Sequence, residues 1–325
     1  MLDAAASQEY RDGAFLMIKG LIKKGSFQLH KLALRAGLVV VPKHFYVSIS
    51  SVVELERTKH RWAKKSEMPG IDAPLDAQAG NLRRICLPHL AEYAGNETYL
   101  EGVSRHFGPG YGYIEAQALH GVLRHYRPAR VIEVGSGVST YCMVKALQCN
   151  EAAGSQKARL TSVEPYPSEA LRNLGGVELI QAEVQTVPVA TFEELGPGDM
   201  LFIDSSHTVR PGSDVNYLIL EILPRLRSGV VVHFHDIYFP YDYQRDVLRT
   251  YFQWMETSLL RAYLTFNSRA RVIFCLSQLH YDRPQVLREV FPKYVPAPDM
   301  DGLEVAPDRK ELRGHFPASL FFEVL

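Results

Sequence analysis

The sequence predicts an α/β protein in which a helical segment precedes a mainly parallel sheet. Beyond about residue 130, short runs of β-branched and aliphatic residues alternate with stretches of helix length. This alternation is typical of β-α-β units joined by right-handed crossovers. Several of the apolar runs become polar at their carboxyl ends, where an open parallel sheet binds its ligands. Residues 1–105 carry helical patterns instead.

The strands and the first helix of the α/β part follow from periodicity. Ile114–Tyr126 is expected to be a helix, because apolar residues recur on one face. Six strands are expected after it: Val131–Val134, Arg159–Val163, Glu178–Gln181, Met200–Ile203, Val230–His233 and Arg271–Cys275.

The N-terminal part is interpreted as a series of helices. Residues 10–41 predict two short amphipathic helices broken near Gly25-Ser26, and residues 51–66 and 72–95 predict two more. A glycine-rich break at residues 108–112 separates them from the sheet. We therefore expect a helical region at 1–105, acting as a lid or a homo-oligomer contact, and a catalytic domain at 106–325.

Composition sets limits on the partners. The chain has 325 residues, of which 46% are hydrophobic and 22% charged, and its formal net charge is zero. Neutrality does not favour a nucleic-acid partner, which usually demands a basic face. Residues 1–65, however, hold 12 Lys/Arg against 5 Asp/Glu. That surplus fits solvated helix faces, a membrane surface or an acidic partner.

Cysteine usage and the apolar runs favour a cytoplasmic protein. The four cysteines form no C-x-x-C pair, which fits reduced thiols. No secretory leader pattern opens the sequence, and the apolar run at residues 32–42 is too short to span a bilayer. No transmembrane segment is expected.

A glycine turn follows the first predicted strand, in the sequence Glu133-Val134-Gly135-Ser136-Gly137. Gly135 and Gly137 permit a tight turn, which aims the amides of the next helix at a ligand. Glu164, at the end of the next strand, is placed to accept the ribose hydroxyls of an adenosine. Glu133 before the turn suits a cofactor with a cationic amino group better than a pyrophosphate.

Two further strand ends carry polar side chains. Asp204, Ser205 and His207 follow one strand, and His235 and Asp236 follow another. His235 or His207 can serve as a general base, since imidazole titrates near neutral pH. Alternatively, Asp204, His235 and Asp236 can hold a divalent metal. His233, one step deeper, is expected to satisfy a hydrogen bond in the core.

Four blocks of sequence resemble the class I S-adenosylmethionine-dependent methyltransferases. They are V-I-E-V-G-S-G-V-S-T, S-V-E-P, L-F-I-D-S-S-H-T-V-R-P-G-S-D-V-N-Y and V-V-V-H-F-H-D-I-Y-F-P-Y-D-Y. The D-S-S-H motif resembles a bacterial branch that acts on small molecules. The resemblance covers about residues 100–280. It implies a Rossmann-like sheet of seven strands, mainly parallel, with the last strand reversed.

The resemblance also implies residue roles. Glu133, Gly135, Ser136 and Gly137 would contact the methionine part of S-adenosylmethionine, and Glu164 its ribose. Asp204 and Ser205 would lie beside cofactor and substrate, and Tyr113 would cover the cofactor. His235 and Asp236 occupy the place where metal-dependent relatives carry two acidic or amide ligands. The His at the first of these positions leaves metal dependence open.

The activity expected is methyl transfer to an oxygen or nitrogen of a small molecule, assisted by a histidine base or a metal. The transition state disperses the positive charge of the sulfonium, so aromatic walls favour it. The segment 238–243, Trp254 and Tyr263 are candidates for such walls. Two alternatives remain open: another reaction of the same cofactor, such as cyclisation or alkyl transfer, and adenosyl binding without turnover. An NAD-linked oxidoreductase is disfavoured, because Ser139 replaces the third small residue of the dinucleotide fingerprint.

Overall fold

A computed structural model of the chain describes residues 24–108, 110–305 and 314–325. The chain divides between Glu54 and Leu55 into two compact units. In the first unit, residues 24–35 form one helix that runs through Gly25 and Ser26. The predicted break at Gly25-Ser26 is therefore wrong, because a glycine costs a helix only about 1 kcal/mol. The helix predicted before it lies outside the described residues.

The second unit is built on a seven-stranded sheet with the order β3-β2-β1-β4-β5-β9-β6. Strands β1 to β5 are parallel, and β9 runs antiparallel to both of its neighbours. The sheet confirms the mainly parallel α/β fold with its reversed last strand. Its strands are β1 Arg130–Val134, β2 Arg159–Val163, β3 Val177–Ile180, β4 Met200–Ile203, β5 Val231–Phe234, β6 Ala270–Cys275 and β9 Leu320–Val324; β7 Asp299–Met300 and β8 Leu303–Glu304 pair separately.

The helices are numbered from the one at residues 24–35, which is α1. The α-helices that follow are α2 Val52–Trp62, α3 Leu75–Cys86, α4 Leu90–Tyr93, α5 Glu97–Ser104, α6 Tyr113–Tyr126, α7 Val138–Ala152, α8 Glu169–Arg172, α9 Val189–Glu193, α10 Asp214–Asn216, α11 Glu256–Leu264, α12 Leu276–Asp282 and α13 Pro284–Val290. Tyr217–Ile222 forms a π-helix, and Leu87–His89, Val184–Thr186 and Leu223–Arg225 form 3₁₀ turns.

Apolar side chains cover both faces of the sheet. One core cluster contains buried residues of α3, α6 and α7, such as Leu82, Leu119 and Met143. A second contains residues of α11 and of the π-helix, such as Leu260 and Leu218. Because α3 belongs to the first cluster, the α/β core includes residues well before position 105. The predicted domain boundary there stays a prediction.

The sheet register places the candidate site. Val134 pairs with both Val163 and Ile203, and Ile203 pairs with Phe234. The residues that directly follow these four therefore emerge side by side at one edge of the sheet. They are Gly135, Glu164, Asp204 and His235. Within the three described stretches, no helix has the length and apolar character needed to cross a bilayer.

Candidate active site

Gly135 begins the turn after β1 in a conformation that only glycine adopts without strain. Its φ is +82°, and a Cβ built on it would lie 1.9 Å from the backbone oxygen of Asp204. The Asp204 amide in turn donates to the Val134 carbonyl at 2.9 Å. A side chain at position 135 would therefore push apart the ends of β1 and β4.

Glu164 closes the same turn from the end of β2. Its Oε2 accepts hydrogen bonds from both the amide and the hydroxyl of Ser136, each at 3.1 Å. Its Oε1 accepts from the Tyr166 amide at 2.8 Å. These bonds fix the carboxylate at the mouth of the turn, and they give Ser136 a role in holding it.

An open cavity of about 350 Å³ lies beside these strand ends. Of the residues expected at the cofactor, it is lined by Gly135, Glu164, Asp204 and Ser205. Further lining comes from Val134, Val163, Pro165, Tyr166, Glu183, Val184, Gln185, Ser206, Arg210, Gly212, Ser213 and Asp214. Gly137 caps the start of α7, where its amide donates to Thr140 Oγ1 at 3.2 Å. Gly137 and Ser136 support the turn without lining this cavity.

Glu133 is fully buried beneath the turn. It accepts hydrogen bonds from Ser139 Oγ at 2.9 Å and from Thr140 Oγ1 at 2.7 Å. Burial raises the pKa of Glu133 to about 8, against the lowering effect of these hydroxyls. The structure thus places Glu133 under the first turn of α7 and not among the residues that line the cavity.

Tyr113, expected to cover the cofactor, is the first residue of α6 and lies away from this cavity. Its ring packs edge-on against Tyr99 and His315, with centroids 5.8 and 4.4 Å apart. Its hydroxyl donates to the Lys293 carbonyl at 3.4 Å.

His235 is buried between carboxylates at the end of β5. Its Nδ1 lies 3.1 Å from Asp204 Oδ1, and its Nε2 lies 3.1 Å from Glu115 Oε1. Burial by itself lowers the pKa of His235, but the three carboxylates around it raise the pKa well above its ordinary value. Both ring nitrogens are engaged, so His235 has no free nitrogen with which to take a substrate proton.

His207 faces the same carboxylates from the loop after β4. It forms one polar group, called the cluster below, with Asp204, His235, Asp236, Glu115 and Glu256. Its Nδ1 lies 2.8 Å from Glu256 Oε2, and its Nε2 lies 3.5 Å from oxygens of both Asp204 and Asp236. Burial lowers the pKa of His207, but the hydrogen bond to Glu256 and the nearby charges raise it to about 9. His235 and His207 act in turn on the carboxylate of Asp204. Burial raises the pKa of Asp204, but the charges of the histidines lower this pKa below its ordinary value.

Three of these side chains form a potential metal site. One ligand atom from each of Asp204, His207 and Asp236 lies within 4.8 Å of the others. The sequence pointed to His235 in place of His207. In the structure the two nitrogens of His235 face Asp204 and Glu115, so the compact group contains His207, and the sequence-based metal set with His235 stays a prediction. His207 and Asp236 both have left-handed backbones, with φ of +57° and +53°, a strained conformation that often marks functional sites.

A second open cavity, of about 410 Å³, is lined by other residues of the cluster. His235 and Asp236 line it, together with the aromatic rings of Tyr238, Trp254 and Phe316. The remaining lining residues are Gly110, Gly112, Glu115, Arg245, Asp246, Glu304 and Ala318. Tyr263, another expected wall residue, packs against Phe322 in the core instead.

His233 lies in the core, as expected. It is fully buried, stacks on Phe202 with ring centroids 4.1 Å apart, and its Nε2 lies 2.9 Å from Ser319 Oγ.

Sequence reasoning missed the two buried glutamates of the cluster. Glu115 Oε1 accepts from the Ala318 amide at 2.7 Å, and its Oε2 accepts from the Gly112 amide at 2.9 Å. A glutamate three residues after Gly112 at a helix start is a capping signal that could have drawn attention to it. Glu256 carries no such signal, because it meets His207 only through the tertiary fold.

Comparison with known proteins bears on the family of the α/β part. A family model described as a methyltransferase domain matches residues 132–237, from β1 to just beyond β5. An uncharacterized protein of Archaeoglobus fulgidus is 30% identical over 168 residues, which are 49% of this chain and 75% of that protein.

Two solved structures show weaker similarity. MycE, a methyltransferase of the mycinamycin biosynthetic pathway solved with Mg, SAH and mycinamycin VI, is 20% identical over 44% of this chain, with a TM-score of 0.30. This chain spans only 41% of the length of MycE. A structure from Thermobifida fusca, provisionally assigned as a methyltransferase, is 10% identical over 81% of this chain and 96% of its own, with a TM-score of 0.33.

Proposed function

The chain belongs to the class I S-adenosylmethionine-dependent methyltransferases, and we propose that it methylates an oxygen or nitrogen of a small molecule. One observation carries this proposal. Asp204 lines the cavity beside the glycine turn, His235 and Asp236 line the second cavity, and Asp204 contacts His235 at 3.1 Å. Donor and acceptor sites that share one polar cluster are what a group transfer requires.

The first cavity is assigned to the cofactor. Gly135 keeps the backbone close to Asp204, and Glu164 is held at the mouth by Ser136 and Tyr166. A carboxylate in this position, at the end of the second strand, accepts the hydroxyls of a ribose. The donor set therefore fits S-adenosylmethionine, which supplies the methyl group when bound.

The second cavity is assigned to the methyl acceptor. Its volume of about 410 Å³ is within the range of small-molecule sites. Three aromatic rings and several charged groups line it, so an acceptor with both flat or apolar faces and polar groups suits it. The rings of Tyr238 and Trp254 line this cavity together with Asp236, and π-faces near the transferring methyl group would stabilise its positive charge.

The residues Asp204, His207 and Asp236 fit a divalent cation. Two carboxylates and an imidazole are common ligands for such ions. Each ligand has a supporting contact: Glu256 on His207, His235 on Asp204, and the Tyr238 hydroxyl on Asp236 at 3.0 Å. A cation bound by Asp204, His207 and Asp236 would lower the pKa of an acceptor hydroxyl. In this arrangement His235 positions Asp204 and is not the general base.

The test is the rate of S-adenosylhomocysteine formation with a metabolite extract, before and after removal of metal by EDTA. The proposal expects formation that falls strongly with EDTA and returns with added divalent metal. His207→Gln is expected to lower the rate at least about 10-fold, whereas His125→Gln, at the end of α6, should not. Activity insensitive to both EDTA and His207→Gln would contradict the metal assignment. Methylthioadenosine appearing in place of S-adenosylhomocysteine would contradict methyl transfer.

A further inference from the structure

We infer that Glu256 is a positioning residue that fixes the ring of His207 so that its Nε2 faces Asp204 and Asp236. The inference deepens the proposed function, because the role of His207 in the cluster rests on that proposal. Glu256 is the first residue of α11, 49 residues after His207 in the sequence.

The contacts show how Glu256 holds His207. Its side chain is only 1% exposed, and its Oε2 lies 2.8 Å from His207 Nδ1. Its Oε1 accepts from Ser205 Oγ at 3.0 Å, so the carboxylate is itself anchored to the same loop. A buried carboxylate with both oxygens engaged has little freedom to move, and the imidazole it binds is fixed with it.

The backbone at the start of α11 also contacts His207. The amides of Met255 and Glu256 both donate to the His207 carbonyl, at 3.1 and 3.2 Å. The ring of Trp254 packs against the imidazole, with centroids 4.6 Å apart. These contacts compensate for the left-handed backbone of His207, which a non-glycine residue adopts only at a cost.

The chemical consequence concerns which nitrogen is presented to the cluster. A carboxylate on Nδ1 requires a proton there, because two acceptors cannot share a hydrogen bond without one. Nε2 then remains directed at the gap between Asp204 and Asp236, 3.5 Å from an oxygen of each. Outer partners of this kind typically contribute a factor of about 10 to 100 in metal affinity or activity.

The experiment compares wild type, Glu256→Gln and Glu256→Asp, with Glu92→Gln as the matched control. Glu92 also binds a histidine through a carboxylate, His120 at 2.7 Å, but away from the cluster. Four quantities are measured: the downfield proton resonance of His207 Nδ1–H by NMR, identified by its loss in His207→Gln; the affinity for Mn²⁺; kcat; and the affinity for S-adenosylmethionine. Thermal unfolding confirms that each variant folds.

The inference predicts that this resonance moves or disappears in Glu256→Gln, that Mn²⁺ affinity and kcat fall by about 10- to 100-fold, and that cofactor affinity stays within about twofold. Glu256→Asp should show smaller changes of the same kind, and Glu92→Gln none. An unchanged resonance in both Glu256 variants would overturn the inference, as would equal losses of kcat and cofactor affinity. Wild type that shows the resonance but neither binds Mn²⁺ nor turns over would overturn the proposed function and leave the positioning contact standing.

Discussion

Nε2 of His235 lies 3.1 Å from Oε1 of Glu115, and this contact joins the end of β5 to the start of α6. Through its other nitrogen the same imidazole reaches Asp204 on β4. Glu115 also binds the amides of Gly112 and Ala318. His235, at the end of β5, therefore connects Glu115 at the start of α6 with Asp204 after β4. Asp204 is the carboxylate that we assign to the metal site and that lines the cofactor cavity.

Replacing His235 with alanine should lower turnover far more than cofactor affinity. The change leaves Asp204 without its 3.1 Å partner and Glu115 buried without a cation, which displaces the cluster. The glycine turn and Glu164 keep their own contacts. Measurement of kcat beside calorimetric cofactor binding checks this, with His125→Ala as control. Equal losses of both quantities would contradict it.

Substitution of Gly135 by alanine should weaken cofactor binding at least about 10-fold, equivalent to about 1.4 kcal/mol. The new Cβ meets the Asp204 carbonyl at 1.9 Å, so β1 and β4 must separate at the cavity. Gly154 is the matched control, since its φ is +88° but no atom lies within 4 Å of a Cβ there. Gly154→Ala should cost stability through backbone strain and leave cofactor affinity unchanged. Similar affinities in the two variants would refute the steric argument.

Removal of the Glu164 carboxylate should also weaken cofactor binding at least about 10-fold. Glu164→Ala loses the group assigned to the ribose and frees the Ser136 and Tyr166 amides. Glu193→Ala, on the exposed side of α9, serves as the control. Calorimetry with S-adenosylmethionine measures the effect, and retention of wild-type affinity in Glu164→Ala would exclude this ribose assignment.

A pH dependence of stability should arise from Glu92, away from the site. The hydrogen bond from Arg124 lowers the pKa of Glu92 from 4.5 to about 2, despite partial burial. Because the folded pKa is depressed, this stabilisation is complete above pH 4.5 and is lost as the pH falls towards 2. Thermal unfolding in this range should therefore depend less steeply on pH in Glu92→Gln than in wild type. Identical slopes would show that Glu92 contributes nothing.

Much of the sheet could be predicted because its strands are short, apolar and bounded by polar residues. The second and fourth predicted strands, Arg159–Val163 and Met200–Ile203, have the bounds seen in the structure, and the third is displaced by one residue, to Val177–Ile180. The reversed strand Leu320–Val324 was implied by the resemblance but not located, because its partners β5 and β6 are distant in sequence.

The site could be predicted only where local sequence determines it. Strand ends identify Glu164, Asp204 and His235, since parallel strands finish at one edge. The hydrogen-bond partners of the histidines depend on tertiary packing, so Glu115 and Glu256 could not be assigned to them. For the same reason, the grouping of His207 with Asp204 and Asp236 became visible only in the folded arrangement.

Methyl transfer to a small molecule is measured most directly with S-adenosylmethionine that carries a deuterated methyl group. The protein is incubated with this cofactor and the small-molecule fraction of a metabolite extract, and the products are followed by mass spectrometry. We expect S-adenosylhomocysteine together with an equal amount of a small molecule that carries the label. Tight cofactor binding with neither product formed would contradict it.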